Sequence, residues 1–216
     1  MKKILNDQEK SMLDGRIAEV EKKTGAQMVL AVIKRSDSYA ELPWKAFAMG
    51  TAVAGLIVFL LDTLRPVWIS SATVFFAIAA TLIAGAALAL LTLWLPPLAR
   101  LFLSAHRAEM EVLRYAEGIF LSREMFATSK RTGILLLVSL FERRVYVLPD
   151  TGLRGRLNKE ALEGIVMRMT VELSRDIVAG AFERGLDSLE NVLSATASAQ
   201  TTVNKLPNEI IEEKGA

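Results

Sequence analysis

The chain has no cysteine among its 216 residues. Disulfides, thiolate metal sites and a cysteine nucleophile are therefore excluded. Histidine occurs once, as His106. A general base needs partners within hydrogen-bond reach, and no neighbour in the sequence supplies one, so His106 reads as a surface residue. Excess charge of one sign is also missing. Lys and Arg number 26 against 24 Asp and Glu, a formal net charge of +2, which gives no case for a nucleic-acid partner. No Walker A sequence or dinucleotide fingerprint occurs, and Ser139 stands in an apolar run without a G-x-S-x-G context. No catalytic residue is identified by motif. The start, MKKILNDQEKSMLDGR, has lysines but no apolar stretch behind them, so it is not a secretory signal.

Long apolar runs are abundant. No charged residue lies between Ala46 and Leu61, and after Asp62 and Arg65 none appears from Pro66 to Ala99. A bilayer-spanning helix needs roughly 20 largely apolar residues, and both runs meet that. Only Asp62-Thr63-Leu64-Arg65-Pro66 separates them. The stretch Leu42 to Leu98 thus predicts a transmembrane helical hairpin with the lipid bilayer as partner. Trp44, Trp68 and Trp94 stand at its expected interfaces, where the indole ring is half buried in lipid and its N–H stays wet. From Trp68 to Trp94 a helix rises about 39 Å, close to a bilayer with its headgroups. Pro96-Pro97 should end or kink the second helix. Gly50, Ala54 and Gly55, then Ala80, Ala84, Gly85 and Ala89, form small-residue faces suited to close helix packing, either within the hairpin or in a homo-oligomer. Lys34, Arg35 and Lys45 precede the hairpin, and Arg100, Arg107 and Arg114 follow it. The positive-inside rule then places both termini in the cytoplasm and the turn outside an inner membrane.

The flanks are too polar for a membrane. Asn6 with Glu9 is a capping-box pair opening an amphipathic helix whose Leu13, Ile17 and Val20 share a face, with Gly25 as its stop. Gln27–Ile33 and Gly133–Leu140 are short, continuous apolar runs, as expected of strands buried on both faces. Residues 141–144 read as a turn and Val145–Leu148 as the returning strand. Ala105–Phe126 reads as a helix with Met110, Leu113 and Phe120 inward. Asn158 caps another helix (Leu162, Ile165, Val166 and Met169 inward), and a last helix from about Arg175 carries Val178, Phe182, Leu186, Leu189 and Leu193. From Ser194 the composition predicts a disordered tail. The expectation is an α/β domain, a small central sheet flanked by helices, split into 1–41 and 99–193 by a transmembrane hairpin at 42–98 and followed by a tail at 194–216.

Asn6-Asp7, Lys23-Thr24-Gly25-Ala26-Gln27, Ser38-Tyr39-Ala40-Glu41, the segment Arg131 to Val145 (RTGILLLVSLFERRV), and Ala179-Gly180-Ala181-Phe182 with Gly185-Leu186 together resemble the TPM domain. The likeness covers about residues 5–193 and is closest to a bacterial membrane-protein branch in which a transmembrane hairpin splits an α/β/α sandwich. That family is named for a plant thylakoid lumen protein, a photosystem II repair protein and a nematode receptor accessory protein. The resemblance implies an accessory, assembly or quality-control role toward another membrane protein. The alternative it implies is an acid-phosphatase-like hydrolase using calcium or magnesium.

This sequence departs from the family in several places. Members often lie on the outer side of a membrane. Many have an acidic pair before the central glycine, where Arg131-Thr132 stands here. A glycine-rich stretch is reduced to Asp150-Thr151-Gly152-Leu153. Metal-assisted hydrolysis needs several converging oxygen ligands, and the candidates are Asp37 and Asp150, both following strands and expected at one edge of the sheet. Arg143-Arg144 with Arg131 and Lys130, or Arg154 with Arg156, would form basic patches toward anionic lipid.

Overall fold

A computed structural model describes residues 4–64, 70–128, 130–175, 177–195 and 210–215. The chain divides into two compact units, Ser38–Arg107 and the remainder.

In the larger unit, helix α1 (Asp7–Thr24) opens with the anticipated capping box: Asn6 Oδ1 accepts from Glu9 N–H at 2.7 Å, and Glu9 Oε2 accepts from Asn6 N–H at 2.7 Å. Gly25 ends the helix at φ 71°, a left-handed position that suits glycine. Strands β1 (Gln27–Arg35), β2 (Gly133–Ser139) and β3 (Arg144–Pro149) follow the apolar runs. A fourth strand, β4 (Ile210–Gly215), completes a sheet in the order β3-β2-β1-β4. β1 runs parallel to both β2 and β4, while β3 returns antiparallel to β2. The expected tail is thus corrected. Residues 194–195 close the last helix, 196–209 lie outside the described residues, and 210–215 join the sheet.

The sheet is covered on both faces, as its uninterrupted apolar strands require. Met28, Leu30 and Val32 of β1 and Ile134, Leu136 and Val138 of β2 pack against α1, α6 (Lys159–Ser174) and α7 (Val178–Ala195). The alternate residues Val29, Ala31, Ile33, Leu135 and Leu137 meet Val112, Ala116 and Ile119 of α5 (Ala105–Ser122). The expected inward face of α5 is corrected in part: Phe120 packs against this cluster as expected, while Met110 and Leu113 are not part of it. Its buried stripe is Ala108, Val112, Ala116 and Ile119, and Met110 is 37 % exposed. Alanines let the helix lie close to the strands, and side-chain bulk is a poor guide to such a face. The inward residues of α6 and α7 are those expected, with Phe182, Leu186, Leu189 and Leu193 fully buried.

The smaller unit contains α2 (Glu41–Leu64), α3 (Ser71–Trp94) and the short α4 (Pro96–Leu101). α2 and α3 are each long and apolar enough to cross a membrane. They pack antiparallel through Gly50 and Gly85. A Cβ at Gly50 would lie 2.9 Å from Gly85 Cα, and one at Gly85 would lie 2.4 Å from Thr51 Cγ2 and 3.0 Å from the Phe47 carbonyl oxygen. Both glycines therefore serve the contact inside the hairpin. Most large apolar side chains of both helices point outward, Phe59, Phe75, Phe76 and Ile83 each about two-thirds exposed. That is the reverse of a soluble core helix.

Candidate functional site

In parallel sheets, ligands collect beyond the carboxyl ends of the strands. At that end of β1 and β2 sits Glu142, in the tight turn to β3. Its Oε1 accepts from Ser36 N–H at 2.8 Å and from Ser36 Oγ at 2.6 Å, and its Oε2 accepts from Ser139 Oγ. Arg143, next along, takes φ 52°, which turns the chain back into β3. The Arg35 guanidinium stacks 4.7 Å above the Phe141 ring, a cation–π contact. Glu142, Ser36 and Ser139 are all buried. Both carboxyl oxygens are engaged, so this cluster ties the exit of β1 to the β2–β3 turn. Ser139 is thereby a structural hydroxyl. The pairing of Ser139 with Glu142 was missed in the sequence; its one local signal is a serine ending a strand three residues before a glutamate across a turn.

We expect Glu142→Ala to lower the stability of the sheet domain by about 2–3 kcal/mol, since three buried donors lose their acceptor. Glu142→Gln should cost less because one acceptor remains. Urea unfolding of the full chain in mild detergent checks this; equal losses for the two variants would count against it.

At the opposite end of the sheet lies the segment most like the family. Gly133 begins β2 where a Cβ would stand 2.6 Å from the Met125 carbonyl oxygen. Arg131 adopts φ 56°, and its carbonyl accepts from Gly152 N–H at 2.9 Å. At Gly152 a Cβ would meet the Lys130 and Arg131 carbonyl oxygens at 2.1 and 2.5 Å, so only glycine fits. Asp150 is 3 % exposed. Its Oδ1 accepts from Thr151 N–H at 2.6 Å, and Arg131 Nε lies 3.1 Å from Oδ1 and 2.9 Å from Oδ2. The guanidinium thus supplies the positive charge a buried carboxylate demands.

Asp37 and Asp150 are not brought to one edge, which corrects that expectation. Asp150 N–H donates to the Gly133 carbonyl, beside Gln27 at the start of β1, whereas Asp37 follows the far end of β1. β3 runs antiparallel, so leaving it returns the chain to where β2 began. Roughly nine residues of strand, about 30 Å, separate the two. Among the described residues no group of three or more His, Asp or Glu is arranged to hold a metal ion. The same reversal splits the expected basic patch: Arg143 and Arg144 lie at one end of β2, Lys130 and Arg131 at the other. Arg156 instead donates to the Leu193 carbonyl at 2.6 Å, capping α7. His106 is exposed near the start of α5. Trp44 and Trp94 lie at the open end of the helical hairpin, 73 and 81 % exposed, and Trp68 falls outside the described residues.

Among the described residues, two grooves lie on the surface of the larger unit. One of about 650 Å³ lies along α1 and α7 and is lined by Arg16, Glu19, Glu172, Arg184 and Asp187. With Glu183, its carboxylates outnumber its two guanidinium groups, and Arg16 is held in ion pairs. Arg16 reaches Asp187 at 2.8 Å and Glu190 at 2.6 Å, and Lys23 reaches Glu19 at 2.6 Å and Glu190 at 2.9 Å. The Lys23 ammonium, with Arg16 behind it, holds the Glu190 carboxyl below its ordinary value of 4.5. A depressed folded value contributes stability above pH 4.5 that is lost as pH falls through the folded value. The melting midpoint should therefore fall on acidification below about pH 4.5, and Lys23→Met should flatten that fall; an unchanged slope would contradict it. The second groove, of about 430 Å³, runs beside edge strand β3 between Tyr146, Val147, Leu162, Val166 and Met167. Burial, then Glu117 and Glu109, push the Tyr146 hydroxyl upward.

The class defined here is an α/β/α domain with a four-stranded mixed sheet, interrupted in sequence by an apolar helical hairpin. Residues 103–192 match the family model of the TPM domain, so this stretch of the chain is similar to that family. In structure the chain is similar to the BA42 protein of the psychrophilic bacterium Bizionia argentinensis, with a TM-score of 0.60 and 12 % identity over 98 % of this chain and 97 % of that one. At that identity the likeness concerns the fold. No curated protein matches the chain in sequence.

Proposed function

We propose that this chain is a membrane-anchored TPM-like domain acting as an accessory, assembly or quality-control factor for other membrane proteins. It is held in the inner membrane by two spans with both termini in the cytoplasm. The observation that carries the reading is the pair of helices α2 and α3, each 24 residues long and covered with outward apolar side chains. Residues on either side of them, Met1–Asp37 and Ala108–Ala216, belong to one compact unit. A single folded unit cannot be divided by a bilayer, so an even number of spans is required, and the basic flanks favour the cytoplasmic side. The carboxyl groups singled out as ligands stand at opposite ends of the sheet, and Asp150 is paired with Arg131. Both features favour a binding role over hydrolysis.

The test is depletion of the protein followed by quantification of the membrane proteome. A defined subset of membrane proteins should fall while their transcripts stay constant; an unaltered set would sink the reading. A C-terminal reporter should be active only in the cytoplasm. Calcium- or magnesium-dependent hydrolysis of a phosphomonoester by the purified chain, abolished by Asp37→Ala with Asp150→Ala, would instead install the hydrolase.

A further inference from the structure

β3 is an outer edge of the sheet, and among the described residues no strand lies beyond it. In an antiparallel pair, backbone groups alternate between facing the partner and facing away. The bond from Asp150 N–H to the Gly133 carbonyl sets the phase. Bonded pairs recur at every second residue, so Leu148, Tyr146 and Arg144 face β2 across from Leu135, Leu137 and Ser139. The N–H and C=O groups of Val145 and Val147 therefore point outward, as does the Pro149 carbonyl. Natural edges are commonly blunted by charges or bulges, yet no charged residue stands between Val145 and Pro149.

The groove of about 430 Å³ runs along this edge. Leu162, Val166 and Met167 of α6 line one wall, and Glu109 and Val112 of α5 line the other. Those helices cover opposite faces of the sheet. The groove is thus a slot that continues the sheet between its two helical layers. With a helix on each side it admits one extended segment, whereas the helical layers of a second folded sheet would run into α6.

Side chains of an added strand would alternate between the two walls. Toward α6 they meet Leu162, Val166 and Met167, while Lys159 and Glu163 pair with each other at 3.7 Å. That wall calls for apolar residues. Toward α5 they meet Tyr146. Burial, then Glu117 and Glu109, raise its hydroxyl, which sets both carboxylates on this side. One guanidinium, that of Arg144, stands against the two. This wall favours a cation whose aliphatic stem lies along the Tyr146 ring.

We infer that the β3 edge is a strand-addition site for an extended segment that alternates apolar with basic residues. Backbone bonds to Val145 and Val147 supply affinity, and the two walls supply specificity. The occupant rests on the accessory role proposed above: cytoplasmic flanks of membrane proteins are rich in Lys and Arg, and such a flank of a client protein fills the slot.

The probe is a fluorescent Lys-Val-Lys-Val-Lys-Val-Lys peptide, titrated against the full-length protein in neutral detergent and read by anisotropy. Saturable binding is expected, at least tenfold tighter than that of the counterpart with Glu in place of Lys. Methylating one alternate set of the peptide's backbone nitrogens should weaken binding at least tenfold, and methylating the other set should not, because only one edge of the peptide faces β3. Glu109→Lys with Glu117→Lys, both at exposed positions, should weaken the basic peptide at least fivefold and favour the acidic one. Absence of saturable binding overturns the inference, as does equal binding of the two methylated forms. Dimers of the free chain that the peptide disperses would give the edge to a second copy and overturn it too. Peptide binding with an unchanged membrane proteome on depletion would count against the accessory role and leave the site standing. No binding with an altered proteome would count against the site alone.

Discussion

Phe182→Ala should lower the stability of the sheet domain by about 3–5 kcal/mol. Phe182 is fully buried at the centre of the larger core cluster. It projects from α7, which comes unusually close to the sheet. A Cβ at the neighbouring Gly185 would lie 2.8 Å from Leu136 Cδ2 on β2 and 2.7 Å from Met169 Sδ on α6. With three elements held that tightly, the space left by the ring has little room to collapse, and cost rises with residual cavity volume. For a domain of this size each kcal/mol shifts the melting midpoint by about 2–4 °C, so the variant should melt roughly 10 °C lower. Urea titration of the full chain in mild detergent measures it, with Met12→Ala on the outer side of α1 as the control. A loss below about 1 kcal/mol would show that α7 adjusts to the deletion and is not clamped.

Gly85→Leu should separate the two helices of the hairpin. Within a membrane-like environment no hydrophobic force holds α2 to α3, and close van der Waals packing must do so. That packing depends on Gly50 and Gly85 meeting backbone to backbone. Even the first carbon of a side chain at position 85 would collide with Thr51 Cγ2 at 2.4 Å. The remainder has no place to go, since Phe47 lies against the same spot. We expect a penalty at the upper end of overpacking, about 3 kcal/mol. A disulfide reporter at Gly55→Cys and Thr81→Cys, where a Cβ at position 55 would lie 3.9 Å from Thr81 Cγ2, should close at least tenfold more slowly in the variant. Gly85→Ala should be milder, and Thr51→Ser should partly restore it by removing the clashing methyl. Unchanged closure in Gly85→Leu would mean that the hairpin is held elsewhere.

Much of the fold was legible in the residues. Asn6 with Glu9, and Gly25, marked both ends of α1 because capping chemistry is local. The runs at 27–33 and 133–140 had the length and composition of doubly covered strands, and α7 showed its inward face through Phe182, Leu186, Leu189 and Leu193 at helical spacing. The hairpin announced itself through the absence of charge. Misreadings arose where the deciding interaction joins distant positions. Leu113 has the bulk that suggests burial, yet the small Ala116 is the residue buried against the sheet. The segment Ile210–Gly215 belongs to a small, polar and charged stretch whose composition predicts disorder, yet Lys10, the Leu5 amide and Tyr115 receive its glutamates. Nothing near residue 210 announces those partners.

Read alone, the sequence determined the apolar pair of helices, the periodicities of the flanks and the turn glycines, all properties of neighbouring residues along one chain. Tertiary structure decided which residues share an end of the sheet. Asp37 and Asp150 were set apart, Ser36 was joined to Glu142, Asp150 was given Arg131, and the C-terminus was laid against β1. The physical reason is strand direction. An antiparallel return sends the chain back to its starting edge, while a parallel addition carries it to the other, and that choice depends on how the sheet buries both of its faces at once.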